Sequence, residues 1–368
     1  MSRWEMVPIE DCCDILDSQR IPITASERKA GIYPYYGANG VQDYVADYIF
    51  DDELVLLAED GGYFGSKEKP IAYRVSGKCW INNHAHILRP KARTDVDYLC
   101  FSLMFYDVGK LINGTTRKKL NQAEMRKMLI PHPPIEIQRA VAATLDQAAT
   151  LIALRKQQIE KLDLLVKARF TEMFGDTLND SAIALSEVCS IITDGTHQSP
   201  RFVHAGIPFL FVSNIVEYEI DYQTTKFIAR EEYQTLIKRT PVEIGDILLT
   251  TVGSYGNPAI VKTDNEFCFQ RHIAYLKPKK NMIDSQYMHS VILSQCVQMQ
   301  IDQKVKGVAQ KTLNLSELKT IRLNIPPLSL QQAFAAFVSQ VESQKQTLKR
   351  AQAKLQRQYD ALMQEYFS

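Results

Sequence analysis

Residues 135–174 read IEIQRAVAATLDQAATLIALRKQQIEKLDLLVKARFTEMF, 40 residues without a glycine or a proline. That is longer than an ordinary globular helix and normal for a coiled-coil strand. Apolar residues step by four and three through Val141, Leu145, Ala148, Ile152, Ile159, Leu162, Val166 and Met173. Arg155 and Arg169 stand at two further positions of the same series. The series is a heptad seam, which predicts a single amphipathic helix whose apolar stripe requires a partner.

The same chain contains a matching stretch. Gly114 aligns with Gly307, an offset of 193 residues (307 − 114). Carried along the first seam, this offset gives Phe334, Val338, Val341, Lys345, Leu348, Gln352, Leu355, Tyr359, Leu362 and Tyr366, with no gap up to Phe174 and Phe367. Polar residues interrupt the two seams at different places. Arg155 and Arg169 align with Leu348 and Leu362, whereas Lys345 and Gln352 align with Ile152 and Ile159. Defects staggered in this way compensate one another if the helices pair. The alternative is two separate amphipathic helices on separate cores. At 1.5 Å per residue each would run about 60 Å, too far for one small domain to cover, so pairing is the expectation.

The duplication extends back from the helices. Val7–Asp17 loosely matches Ile183–Asp194, and Gly31-Ile32-Tyr33 matches Gly206-Ile207-Pro208. An apolar run followed by a glycine-rich turn occurs in both halves, Leu54–Ala58 before Gly61-Gly62-Tyr63 and Ile247–Thr251 before Gly253-Ser254-Tyr255. These short runs read as strands and hairpins. One further strand is expected over Cys79–Leu88 and one over Phe267–Leu276. A helix is expected near Val96–Val108 and another near Ser285–Gln300. Gly114–Asn121 (GTTRKKLN) then aligns with Gly307–Asn314 (GVAQKTLN), four identities in eight, and each leads to a proline pair, Pro133-Pro134 and Pro326-Pro327.

A chain of 368 residues, 45% hydrophobic and 23% charged, is in the range of two or three soluble globular domains. No apolar run of about 18 residues predicts a membrane span, and Met1–Asp14 has no apolar signal core. Seven cysteines without a CxxC pair read as reduced thiols. A cytoplasmic protein is expected. The net charge of +1 excludes a strongly basic nucleic-acid coat but not sequence-specific DNA binding, which depends on local Lys/Arg patches.

The order of these parts resembles the specificity subunits of Type I restriction–modification systems. The resemblance rests on the two duplicated halves, the Gly-x-x-x-Lys-x-Leu-Asn stretch before each Pro-Pro pair, and the long helix after each. It implies an α+β fold in which two mixed α/β target recognition domains (1–134 and 176–327) are each followed by a spacer helix (135–175 and 328–368). The helices are expected to pair as an antiparallel coiled coil with pseudo-twofold repeat symmetry. The implied role is non-catalytic. Each recognition domain would read one half of a split, asymmetric site in double-stranded DNA, and the helices would set the gap. Two methylase subunits would dock on the assembly and restriction subunits would join it. S-adenosylmethionine, ATP and Mg would be used by those partners, and no cofactor is expected on this chain.

Candidate DNA contacts follow from residue chemistry. Arg117, Lys118 and Lys119, with Gln310 and Lys311 in the second half, follow a glycine; Arg and Lys suit phosphate and guanine, and Gln suits adenine. Tyr63 and Tyr255 sit in glycine-rich loops, where the backbone can approach a ligand closely. Asn39, Asn214, Asn83, His84, Arg271 and His272 are polar residues at strand ends or in loops, where Asn and Arg suit base reading. Each also has a structural reading: surface charge on a turn, a half-buried tyrosine, a turn asparagine such as Asn39-Gly40, or a hydrogen-bonded histidine. His84 and His86 alone do not make a zinc site, for no cysteine or third histidine lies near them in sequence, and no metal is expected. Lys156 and Lys349, Lys161 and Lys354, and Glu172 and Glu365 recur outside the seam as a candidate docking face or a solvated one. No nucleotide-binding, methylase or nucleophile-elbow motif appears. A stand-alone two-domain DNA-binding regulator or scaffold is the alternative reading.

Overall fold

A computed structural model of the protein describes residues 4–66, 68–114, 118–307 and 310–367. The long helices run Ile135–Phe174 and Leu328–Phe367, 40 residues each. The chain forms two compact units, residues 1–157 with 349–368, and residues 158–348. Each unit therefore joins one globular half to one end of both long helices.

Within the second unit Phe334 packs edge-on against Phe170 and Phe174, with ring centroids 5.6 Å apart in both pairs. Farther along, Lys345 reaches Asp163. Moving back along the first helix thus means moving forward along the second, and the pair is antiparallel. In the first unit Val141, Ala142 and Leu145 share a cluster with Tyr359, Leu362 and Tyr366, again early turns against late ones. Every expected seam position in both helices is buried or half-buried, including Ile152, Ile159, Leu162, Val166, Val338, Val341, Leu348 and Leu355. Between residues 150 and 168 all other side chains of the first helix are exposed, which is the narrow stripe of a coiled coil.

The duplication recurs in the strand pairing. Each half opens strand–helix–strand, as Met6–Pro8, Ile9–Cys12 and Cys13–Ile15, and as Ile183–Ala184, Leu185–Val188 and Cys189–Asp194. The opening strand pairs antiparallel with the strand that precedes the long helix, Leu129–Pro131 in one half and Arg322–Leu323 in the other. The first unit carries a six-stranded sheet in the order Cys13–Ile15, Ala85–Pro90, Phe50–Ala58, Ala72–Ile81, Ala30–Gly37, Gly40–Val45. The second carries a four-stranded sheet in the order Cys189–Asp194, Ile273–Pro278, Ile247–Thr250, Pro258–Ile260, beside a smaller four-stranded sheet. The unbroken apolar runs explain the central strands. Val55 and Leu57 face one cluster while Leu54 and Leu56 face another; Ile247 and Leu249 likewise oppose Leu248. These strands are buried on both faces.

Each long helix is fastened to its globule by one buried glutamine. Gln138 Oε1 accepts from the Asp95 backbone at 2.9 Å, and its amide nitrogen donates to the carbonyls of Pro133 (2.8 Å) and Arg93 (3.1 Å). Gln331 repeats the set with Asp284, Pro326 and Met282. Asp95 and Asp284 in turn cap the short helices Val96–Met104 and Ser285–Ile292.

Three expected elements differ. Cys79–Leu88 is not one strand: Ala72–Ile81 and Ala85–Pro90 meet at a turn over Asn82–His84. Phe267–Leu276 likewise divides into Cys268–Phe269 and Ile273–Pro278. The polar clusters that looked like strand residues are the breaks between strands. The helix expected over Ser285–Gln300 is two, Ser285–Ile292 and Gln295–Lys304, parted at Ser294, whose hydroxyl donates back to the Val291 carbonyl at 2.7 Å, the local bond that competes with helix continuation.

Candidate nucleic-acid interface

In each unit the segments singled out from sequence converge on one end of the main sheet. In the second unit Thr251 N donates to His272 O (2.9 Å), Arg271 N to Thr196 O (3.0 Å), Leu313 N to Thr251 O (2.8 Å) and Gly253 N to Lys311 O (3.0 Å). These bonds gather the loops that carry Thr196, Arg271, Tyr255 and Lys311 beside the ends of three adjacent strands. In the first unit Glu59 N donates to His84 O (2.9 Å) and Leu120 N to Glu59 O (2.8 Å), and Asn39 Nδ2 donates to Gly61 O at 3.0 Å. The strand that leads into this end closes at a left-handed glycine in both units, Gly61 (φ 67°) and Gly253 (φ 72°), a conformation that excludes most side chains.

The predicted residues have different fates there. Lys118, Gln310 and Lys311 are exposed, and Arg117 lies outside the described residues. Tyr63 is 42% exposed, with Lys69 Nζ 4.5 Å from its ring centroid. Tyr255 is half-buried, held by Asp302 at 2.9 Å and covered by Lys311 at 5.8 Å. Asn39, Asn83 and Arg271 are exposed, whereas His84 is half-buried against Asp60 at 2.8 Å and Arg271 Nε lies 3.4 Å from His272. The Asn39-Gly40 signal does mark a hairpin, but its turn is Ala38-Asn39, since Gly37 pairs with Gly40.

Asn214 departs from the expectation. It is 8% exposed. Its oxygen accepts from Phe211 N at 2.9 Å, and its nitrogen donates to Asp221 O (3.0 Å) and Gln223 O (2.9 Å). The side chain is spent on its own turn and is not presented to DNA. Lys119 is also committed, with Nζ 2.8 Å from Glu59 Oε1.

That ion pair is the rim of a polar network invisible in the sequence. Arg20 Nη1 reaches the other Glu59 oxygen at 2.5 Å. His86, fully buried, places Nδ1 2.6 Å from Asp17 and Nε2 2.8 Å from Leu120 O. Gln122 donates to the same Asp17 oxygen at 2.8 Å. Burial alone would raise the Asp17 and Glu59 carboxyls. The hydrogen bonds from His86, the Ile87 amide and Gln122 in one case, and from Lys119 and Arg20 in the other, overcome it and hold both below the ordinary carboxylate range. Asp17, Glu59 and His86 lie close enough to share a metal ion, but Arg20 and Lys119 already supply the positive charge. The network fastens the Lys119–Leu120 end of its loop to the sheet.

The family profile described as the Type I restriction modification DNA specificity domain matches residues 1–164 and again residues 183–357. The chain belongs to this family of specificity subunits. Its non-catalytic character follows, and membership decides against a stand-alone regulator. Among similar proteins, the chain is 26% identical over 351 residues to a putative Type I restriction enzyme specificity subunit of Haemophilus influenzae, covering 93% of this chain and 88% of that one. It is 22% identical over 375 residues to the MjaVIII specificity subunit of Methanocaldococcus jannaschii, covering 92% and 86%. The solved S subunit of M. genitalium aligns with 100% of this chain and 96% of its own at a TM-score of 0.62 and 15% identity, so the fold is shared. A subunit of a Type I system solved in a study of complex assembly aligns at a TM-score of 0.55 and 17% identity, covering 99% and 97%.

What sequence reasoning missed in this specificity subunit is Glu59 and Arg20 of the first unit, the pairing of His86 with Asp17, and Asp194, His197 and Arg239 of the second. Asp17 and Arg20, like Asp194 and His197, stand three residues apart, and Glu59, His86 and Arg239 join them only through the fold. The available signal was that Asp17 and Asp194 stand at matching ends of matching segments. Among the described residues no helix is long and apolar enough to cross a membrane.

Proposed function

We propose that the two halves, over 1–134 and 176–327, act as target recognition domains that read the two parts of one split DNA site. The spacer helices, over 135–175 and 328–368, set the gap and dock the partners. The observation that carries this reading is the make-up of the compact units: each reading end belongs to a globule built onto one end of an antiparallel helix pair. A ruler of that kind converts helix length into half-site spacing.

Lys118, Gln310, Lys311, Tyr63, Asn39 and Arg271 are the proposed DNA contacts, with Arg117 beside them in the chain. The unlike edges of the two units predict two different half-sites. The near-neutral chain, +1 overall, leaves part of the phosphate grip to its partners. Those partners are two methylase subunits, one for each half of the repeat, and restriction subunits that join the same cytoplasmic complex. S-adenosylmethionine, ATP and Mg belong to them.

Co-expression with a Type I methylase subunit tests the reading. A stable complex that methylates adenine in a split motif supports it. A chain that binds DNA alone and forms no complex with a methylase contradicts it.

A further inference from the structure

Asp17 and Asp194 occupy matching places in the two units. Ile15 pairs with Leu88 and Ile192 with Leu276, and each aspartate follows two residues later. Their surroundings differ. Asp17 is sealed against buried His86. In the second unit the strand residue opposite Asp194 is Ala274, and the aspartate lines a cleft of about 360 Å³ with Thr196, His197, Gln198, Arg239 and Phe269.

The cleft holds two side chains anchored on one carboxylate. Asp194 is 8% exposed. One of its oxygens takes Arg239 Nη2 at 2.5 Å and the other lies 2.8 Å from His197 Nε2. Arg239 Nε donates to Thr193 Oγ1 at 3.2 Å. Both side chains are therefore anchored at one end while about half of each remains exposed. Among the described residues, Nη1 of Arg239, Nδ1 of His197 and the amide of Gln198 have no protein partner. The rim is continuous with the candidate interface, because Arg271 N donates to Thr196 O at 3.0 Å.

We propose that this cleft reads a base of the second half-site, with Arg239, His197 and Gln198 as specificity-determining residues. Resting on the function proposed above, the inference names the contact surface of one half. The Arg239 charge is already matched by Asp194, so the cleft offers little net attraction for a phosphate. It offers an anchored guanidinium, an imidazole nitrogen and an amide, the chemistry that distinguishes purine edges: a guanidinium toward guanine O6 and N7, an amide toward adenine N6 and N7. Phosphate contacts fall instead to exposed charges such as Lys118 and Lys311. The first unit fills the corresponding place with its own side chains and reads through its loops alone.

The test is methylation sequencing with the full chain and its methylase, comparing wild type with Gln198→Ala and Arg239→Lys. Arg239→Lys keeps the charge beside Asp194 and removes the fork; Gln198→Ala removes a side chain that holds nothing in the protein. Each is expected to loosen discrimination at one base of the second half-site roughly tenfold or more, leaving the first half-site unchanged. Both variants retaining wild-type discrimination would overturn the proposal. So would weakening that is uniform across sequences with a salt slope lower by about one, the signature of a phosphate contact. If the wild-type complex methylates no split motif, it is the proposed function that fails.

Discussion

Lys345 Nζ lies 2.5 Å from Asp163 Oδ1, across the helix pair of the second unit. The lysine is a polar defect in an apolar seam, and its side chain is only 17% exposed. Burial alone would lower its ammonium; the Asp163 hydrogen bond and the nearby Glu342 charge more than offset this and raise it. A single satisfied polar residue in a seam fixes register at some cost in stability. A double-mutant cycle on Lys345→Ala and Asp163→Ala should give a coupling of about 0.5–1 kcal/mol, since Asp163 is half exposed. Lys345→Met should hold or raise the melting temperature. A coupling of zero would remove the pair from the account of register.

Gln138 and Gln331 should behave alike, because their bond sets are copies. Gln138→Ala leaves the Asp95 amide and the carbonyls of Pro133 and Arg93 without their partner. At about 1–3 kcal/mol for each buried group left unmet, partly relieved by water, a loss of about 2–4 kcal/mol is expected. Chemical denaturation of each variant checks this, and a neutral result at either position would deny the latch.

Acid should weaken the first unit. Asp17 and Glu59 have depressed carboxyls in the folded state, so they bind protons less tightly there than in the unfolded chain. Their stabilisation is complete above the unfolded values and disappears as the pH falls below about 4. In the second unit the directions are mixed, for burial raises Asp246 but lowers His289 to about 4. Both tryptophans, Trp4 and Trp80, belong to the first unit, and their fluorescence reports that unit alone. Its unfolding midpoint should fall as the pH is lowered from about 5 to about 3. Glu59→Gln should lower the same midpoint at pH 7, by the equivalent of about 1–3 kcal/mol of unfolding free energy, because Arg20 and Lys119 lose their shared carboxylate. A midpoint indifferent to both would mean that the network contributes nothing to the fold.

Helix length should translate into DNA spacing. Seven residues inserted at matching seam positions of both helices add about 10 Å, or about 3 base pairs of duplex. Methylation sequencing should return the same half-sites with a gap longer by about that amount. The original gap, or altered half-sites, would contradict the ruler.

The helix pair was legible in the sequence because a seam is a local, repeated pattern. Lys345 and Gln352 could be assigned to it despite their polarity, since the 193-residue offset carried the register. The main strands were legible from unbroken apolar runs such as Leu54–Ala58. The turn at Asn82–His84 was not, because it lies between apolar residues that belong to two different strands. The surroundings of the candidate contacts were half legible. Lys118 and Lys311 are exposed, as residues after a turn glycine should be, whereas Arg271 stands at a break in what read as one strand. Asn214 looked the same in sequence and is absorbed by its own turn. Lys119 was read as a free cation because nothing local announced Glu59, sixty residues earlier.

The measurement closest to the central claim is single-molecule methylation sequencing of cells that carry this chain with its methylase subunit. The account predicts one asymmetric motif, methylated on adenine, with two unlike halves at a fixed separation. A continuous motif, a symmetric one, or a variable gap would contradict it.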